Sequence, residues 1–224
     1  MSYKNQIASN LSCLKKDVKK SCEDASRKNS SVKIVAVSKT IEEKFIIEAA
    51  KEGHIYFGEN KVQEAKRKWP TIKILYPKIK LHMLGALQSN KVKDAIKIFD
   101  VIETIDREKI AIEISKYKKI SEILPELYVQ INIGEEPQKN GCLPHKSIDF
   151  IKECNLLGLN ITGVMGIAPL NVAPSPYFAL LKNIANDAAL SNVSMGMSKD
   201  YKEAIYLGAT SIRVGSKIFG ERRT

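Results

Sequence analysis

The sequence predicts a parallel α/β barrel of the (β/α)8 class with one extra helix at its N-terminus. Three observations lead there. Short apolar runs alternate with amphipathic stretches eight times over roughly 200 residues, the count and size of such a barrel. The run over 32–37 is rich in apolar β-branched residues, as a strand covered on both faces is. No linker, internal repeat or low-complexity segment interrupts the pattern, so residues 1–224 read as one domain. A doubly wound open sheet is the alternative. It would normally carry a GxGxxG after its first strand, and none is present.

Taken in order, residues 5–28 carry Ile7, Leu11, Leu14, Val18 and Cys22 on one helical stripe. This is the extra helix, surplus to eight repeats, and it is expected to cover the bottom of the barrel. Residues 32–37 form the first strand. Thr40 and Glu43 have capping-box spacing for a helix over 41–52, stopped by Gly53. Residues 55–57 are the second strand. Asn60 and Gln63 suit the start of a helix that Trp69-Pro70 should end. Residues 80–84 are the third strand, followed by a helix bearing Val92, Ala95, Ile96 and Phe99. Residues 101–104 are the fourth, with Asp106 placed to cap the next helix. Residues 127–133 are the fifth, then a long loop over 134–141 and a helix over 145–156. Residues 161–165 are the sixth, then a loop over 169–176 and a helix over 177–190. Residues 193–195 are the seventh, leading through Gly196-Met197-Ser198 into a helix that Gly208 closes. Residues 211–214 are the eighth, and Gly215-Ser216 opens a last short turn.

Composition narrows the classes of function. With 44% hydrophobic residues the chain can bury a substantial core, yet no apolar run reaches the ~18 residues of a membrane span. The first 20 residues lack an apolar signal core and include Asp17, which argues against secretion or organelle import and for a cytoplasmic protein. Cys13, Cys22, Cys142 and Cys154 are widely spaced without a CxxC pair, fitting reduced thiols better than disulfides or zinc. The net charge of +11 suggests polyanions, but 30 of the 36 basic residues are lysine and they are dispersed along the chain. Arginine forks interleaved with aromatics, the usual equipment for reading bases, are missing. Lys15, Lys16, Lys19 and Lys20 form one solvated helix face, and no specific nucleic acid partner is expected. His54 and His145 read as surface or loop residues, and Trp69 as core.

Lys39 is the residue with chemistry. It ends an interior strand, on the side of the sheet where α/β folds place their sites. A partly desolvated amine there loses its proton more easily and can condense with an aldehyde. The plain alternative is a lysine that caps a strand and reaches solvent. A barrel of this kind often binds phosphate between the loops after its seventh and eighth strands. Met195-Gly196-Met197-Ser198, before a helix, and Gly215-Ser216 offer small donors at those two places. Each alone is an ordinary cap or tight turn; their joint placement favours an anion. Arg213 ends the eighth strand, facing either lumen or helices, with a structural ion pair as its plain alternative.

Five stretches then occur in one order: Val35-Ala36-Val37-Ser38-Lys39-Thr40; Phe57-Gly58-Glu59-Asn60 with Gln63-Glu64; His82-Met83-Leu84-Gly85 with Leu87-Gln88-Ser89-Asn90-Lys91; Ser194-Met195-Gly196-Met197-Ser198; and Arg213-Val214-Gly215-Ser216 with Ile218-Phe219-Gly220. Together, across residues 5–222, the chain resembles the pyridoxal phosphate homeostasis protein family. The resemblance implies a barrel like the N-terminal domain of bacterial alanine racemase, with Lys39 holding pyridoxal 5′-phosphate as an internal aldimine. It further implies Ser198, Gly215 and Ser216 at the phosphate, and Arg213 near the pyridine nitrogen, where a cation keeps that nitrogen unprotonated. Asn60 and His82 match the barrel mouth, and Met195 completes the cofactor-binding set. Lys139 matches a second lysine that handles the cofactor.

The implied function is cofactor carriage and vitamin B6 homeostasis without an established reaction, with cofactor-dependent apoenzymes as partners and a monomeric or weakly dimeric state. The sequence departs from the family at Leu81, usually aromatic, at Ser216, often threonine, and across 134–139. A pyridoxal phosphate enzyme, such as a weak amino acid racemase, is the alternative. Racemisation needs an acid/base pair on opposite faces of the substrate Cα, and the partner tyrosine of alanine racemase comes from a second domain. No residues beyond Thr224 are expected to build one, which favours binding over turnover. Nucleic-acid binding is a third reading, and it requires steep salt dependence.

Overall fold

The computed structural model describes residues 3–118 and 124–221. Eight parallel strands close into a barrel in sequence order, β8 pairing back onto β1. The strands are β1 (Lys33–Val37), β2 (Tyr56–Glu59), β3 (Lys80–Met83), β4 (Val101–Ile105), β5 (Glu126–Ile131), β6 (Ile161–Gly166), β7 (Asn192–Ser194) and β8 (Ser211–Val214). The helices are α1 (Tyr3–Asp24), α2 (Glu43–Lys51), α3 (Val62–Leu75), α4 (Val92–Ile98), α5 (Glu108–Lys118), α6 (Ser147–Leu156), α7 (Ser175–Asp187), α8 (Tyr201–Tyr206) and α9 (Ser216–Phe219). All eight expected strands are present. The chain therefore has the (β/α)8 architecture rather than an open sheet.

Alternation along each strand sorts the residues. Ala36, Phe57, Leu81, Met83, Ile102, Leu127, Val129, Val164, Val193, Ile212 and Val214 point outward and form the core under the helices. The register pairs Val35 with Arg213 and Gly58 with His82, so these side chains point into the lumen. Cys22 and Cys154 are buried, and the four cysteines are free thiols.

The extra helix does not cover the barrel bottom. It packs along the outside against α2, α8 and α9. The reason lies at the other end of the chain: the helix after β8 has only the four residues of α9. That leaves a gap in the outer ring, and the stripe of Ile7, Leu11, Leu14, Val18 and Cys22 fills it. Asn10 Nδ2 donates to Ile218 O (3.0 Å), and Arg27 donates to Ile205 O (2.6 Å) and Ala209 O (2.7 Å), fastening the two ends together.

Two local expectations also change. α3 runs through Pro70 to Leu75 instead of ending there. Pro70 is exposed, while Val62, Ala65, Lys68, Trp69 and Ile72 continue one buried face. Burial of that face outweighs the missing N–H bond. The capping box at Thr40 does not form either. Thr40 takes a φ of 64°, and α2 begins at Glu43 after Glu42 as N-cap.

His54 is not a surface residue. It is buried against the edge of Phe57 (ring centroids 5.1 Å apart), with Nε2 2.8 Å from Tyr56 O. Burial lowers its pKa from 6.5 to about 4, against the hydrogen bond to Tyr56. Between those two values the unfolded chain takes up a proton that the folded chain refuses, so stability falls as pH drops. We expect a loss of about 3 kcal/mol across that window. Urea unfolding of the wild type and of His54→Gln at several pH values checks it: the variant should lose that part of the slope.

Candidate functional site

The turn that follows β1 carries Lys39. Ser38, Lys39, Thr40 and Ile41 form a four-residue turn closed by Ile41 N–H donating to Ser38 O (3.0 Å). Lys39 is half-buried and lines a cavity of about 620 Å³ at the carboxyl ends of the strands. The same cavity is lined by Ser198 and Lys199 after β7, by Arg213 on β8, by Gly215 and Ser216 after it, and by the loop over 168–174 after β6. Barrel closure sets β8 directly beside β1, which is why residues about 175 positions apart meet.

Ser216 Oγ donates to Ser198 Oγ (3.1 Å), so two hydroxyls converge at the mouth. Gly215 leaves room beside them, since a Cβ there would press on Val37 O at 3.2 Å. Ser198 is not the cap of α8. That position belongs to Asp200, whose Oδ1 accepts from Met197 N–H (2.6 Å) and fixes the turn that presents Ser198.

Arg213 faces the lumen and is 5% exposed. Its guanidinium donates to Ser194 Oγ (2.6 Å) and Gly166 O (2.9 Å). Ser194 Oγ donates onward to Glu103 Oε2 (2.5 Å), and the other oxygen of Glu103 lies 2.6 Å from His82 Nδ1. A buried chain thus runs from Arg213 through Ser194 and Glu103 to His82. Burial pushes the Glu103 carboxyl up, but the bonds and charges of His82, Arg213 and Ser194 outweigh it and hold its pKa below the ordinary value. Burial lowers the Arg213 pKa, and Glu103 and Asp200 oppose that.

The structure therefore brings Lys39, Ser198, Arg213, Gly215 and Ser216 to one cavity, and His82, Asn60 and Met195 elsewhere. His82 lies beneath it at the far end of the buried chain, with Nε2 lacking a partner among the described residues. Asn60, after β2, abuts the loop after β3: a Cβ on Gly85 would sit 2.1 Å from Asn60 O. Met195 alternates outward from Ser194 into the core behind the sheet. Lys139 pairs with Glu136 and lines a separate cavity of about 230 Å³ with Gln130, Asn132 and Asn140.

Sequence reasoning missed Glu103 and Ser194 as members of the site. An acid inside the otherwise apolar run Val101-Ile102-Glu103-Thr104-Ile105 was the available signal. It missed Lys68 as well. Lys68 and Glu59, 1% and 0% exposed, pair at 2.8 Å behind the Lys39 turn. Burial raises the Glu59 pKa, and Lys68 and Ser38 counter it.

A closed parallel barrel with a lysine at its mouth and a hydroxyl pair after its last two strands is the class defined by fold and site. No protein-family model matches the chain. A curated relative from Pasteurella multocida, named pyridoxal phosphate homeostasis protein, is 36% identical over 231 residues, covering 96% of this chain and 97% of its own. The structure of PipY from Synechococcus elongatus, solved with PLP bound, is 32% identical and superposes with a TM-score of 0.81, covering 96% of this chain and 100% of that one. Alanine racemase from Clostridium difficile shares the fold at 17% identity, with a TM-score of 0.73 over 98% of this chain and 58% of its own. The chain belongs to the pyridoxal phosphate homeostasis protein family.

Arg213→Leu should destabilise the protein by about 3–5 kcal/mol, because it strands Glu103 without its nearest fixed cation. The measurement is the urea midpoint at unchanged m-value. Adding Glu103→Gln should recover part of the loss.

Proposed function

We propose that this protein binds pyridoxal 5′-phosphate in the cavity at the barrel mouth, holds it covalently through Lys39, and serves homeostasis of that cofactor rather than turnover. The observation that carries this reading is the meeting of the Lys39 amine, placed at the end of β1, with two hydroxyls in a single cavity of about 620 Å³. The residues fit the group. Its aldehyde requires an amine, its phosphate requires several donors in a tight curve, and Gly215 keeps that curve clear of a side chain.

When bound, the cofactor supplies an aldehyde carbon that condenses with a primary amine. In this reading Lys39 provides the amine. Ser198 and Ser216 turn their hydroxyls from one another toward the phosphate oxygens, where bonds to a charged acceptor are stronger. Arg213 presents a fixed cation to the pyridine nitrogen and keeps it unprotonated, which weakens the ring as an electron sink and suits storage better than catalysis. His82 acts on Arg213 only through Glu103 and Ser194, and Asn60 acts by bracing the loop after β3. Met195 contributes as a packed anchor for the turn that bears Ser198. Lys139 handles the cofactor from its own smaller cavity. Leu170 and Val172, on the loop over the cavity, are 71% and 50% exposed and leave a rim that a recipient apoenzyme can approach. No helix among the described residues is long and apolar enough to cross a membrane, which accords with a cytoplasmic setting.

The test is the absorbance of purified protein with pyridoxal phosphate, before and after borohydride reduction, with peptide mapping. The label should map to Lys39 and vanish in Lys39→Ala. A protein that stays colourless, or a label on another lysine, would overturn the reading. Steady amino acid turnover lost in Lys39→Ala would replace it with an enzyme. Ser198→Ala with Ser216→Ala should weaken cofactor affinity about 10- to 100-fold, the effect of removing one or two hydrogen bonds to a charged group. Equilibrium dialysis measures it.

A further inference from the structure

The turn that presents Lys39 is strained, and the strain sits on an unsuitable residue. Thr40 is the third residue of the turn and has a φ of 64°. A left-handed third residue is ordinarily glycine or asparagine. A β-branched side chain there is an outlier that persists only where its surroundings over-determine it.

Those surroundings come from α3, outside the cavity. Lys68 Nζ donates to Ser38 O (2.9 Å) and to Ile41 O (3.2 Å), the two carbonyls at either end of the turn. It also donates to Glu64 Oε1 (2.8 Å). That same carboxylate oxygen accepts the amide N–H of Thr40 (2.6 Å). Glu59 completes the cluster: its Oε1 meets Lys68, Ser38 Oγ (2.8 Å) and Trp69 Nε1 (3.2 Å). Ser38 and Thr40, the residues flanking Lys39, are thus both tied to one buried ion cluster. Burying an ion pair is a weak source of stability, so a cluster of this kind calls for another explanation.

We propose that Glu64 and Lys68 are positioning residues for Lys39: they clamp the strained turn so that the amine stays directed at the aldehyde position of the cofactor. This inference rests on the binding reading above. It predicts a split between two ligands. Pyridoxal phosphate needs the amine in place, whereas its 4′-deoxy analogue, which has no aldehyde, reads the cavity alone.

Five proteins decide it: wild type, Glu64→Gln, Glu64→Ala, Glu64→Ala with Thr40→Gly, and Glu59→Gln with Lys68→Met. Covalent capture at equilibrium is read by borohydride reduction and intact mass, and analogue binding by calorimetry. Glu64→Ala should lower capture about fivefold to tenfold, the effect of losing one hydrogen bond that restrains the turn, with analogue affinity within about twofold of wild type. Glu64→Gln keeps the acceptor for Thr40 N–H and should behave as wild type. Thr40→Gly should restore capture in the Glu64→Ala background, because glycine takes a positive φ without cost. A double variant, Glu59→Gln with Lys68→Met, removes opposite buried charges together and should show the same split. It also serves if Glu64→Ala does not fold. Unchanged capture in Glu64→Ala, or capture and analogue affinity falling in proportion, would overturn the clamp. Capture absent from the wild type as well would overturn the binding reading and the clamp with it.

Discussion

A closed parallel barrel has no free edge, so every strand residue has two choices of direction and no third. That constraint governs the rest of the molecule. Outward positions must be apolar to seat the helices; inward ones are released from that demand and can carry polar chemistry if it is satisfied locally. On β4, Ile102 and Ile105 lie in the apolar layer, while Glu103 enters the lumen and finds Ser194, His82 and Arg213. On β8, Ile212 and Val214 seal the outside while Arg213 turns in. The polar interior is therefore a product of register: shifting any of these strands by one residue would bury charge against the helices and expose the sealing layer to the lumen.

Closure also explains where the site lies. β1 and β8 are neighbours only because the sheet completes a circle. The amine at the end of β1 and the hydroxyls after β7 and β8 come from opposite ends of the sequence and share one cavity because of that closure. Ser194 Oγ and Gly166 O hold Arg213 at the floor of the cavity, while its rim is formed by loops.

Much of the fold was legible because buried parallel strands leave a continuous apolar trace. Val32 to Val37 and Ile161 to Met165 could hardly be anything else. The place of Lys39 at the cavity was legible because it follows the carboxyl end of an interior strand, the end at which such barrels open. Other features were hidden by physics that a linear string does not encode. Lys68 sits among Lys66 and Arg67 on a helix and reads as one more solvated charge; only the approach of α3 to the β1 turn buries it. His54 follows a glycine in what looks like a loop, yet Phe57 and Tyr56 enclose it. Pro70 signals a stop that the buried face of Trp69 and Ile72 overrides. The capping box at Thr40 was chemically reasonable, but Thr40 takes a left-handed backbone two residues before the actual N-cap, Glu42, and its amide donates to Glu64 instead of Glu43.

The seat of α1 in the gap left by the short α9 has a consequence for biosynthesis. In the order of synthesis α1 precedes two of its partners, α8 and α9, by nearly the whole barrel. Until they emerge, the apolar stripe of α1 has only α2 to pack against and one seam of the barrel stays open. Ring closure joins residues about 200 apart, the kind of contact that sets a slow, late step in folding. Gly215 and Ser216 lie on that same late segment, so the cavity that Lys39 lines is complete only once β8 and the turn after it have been made.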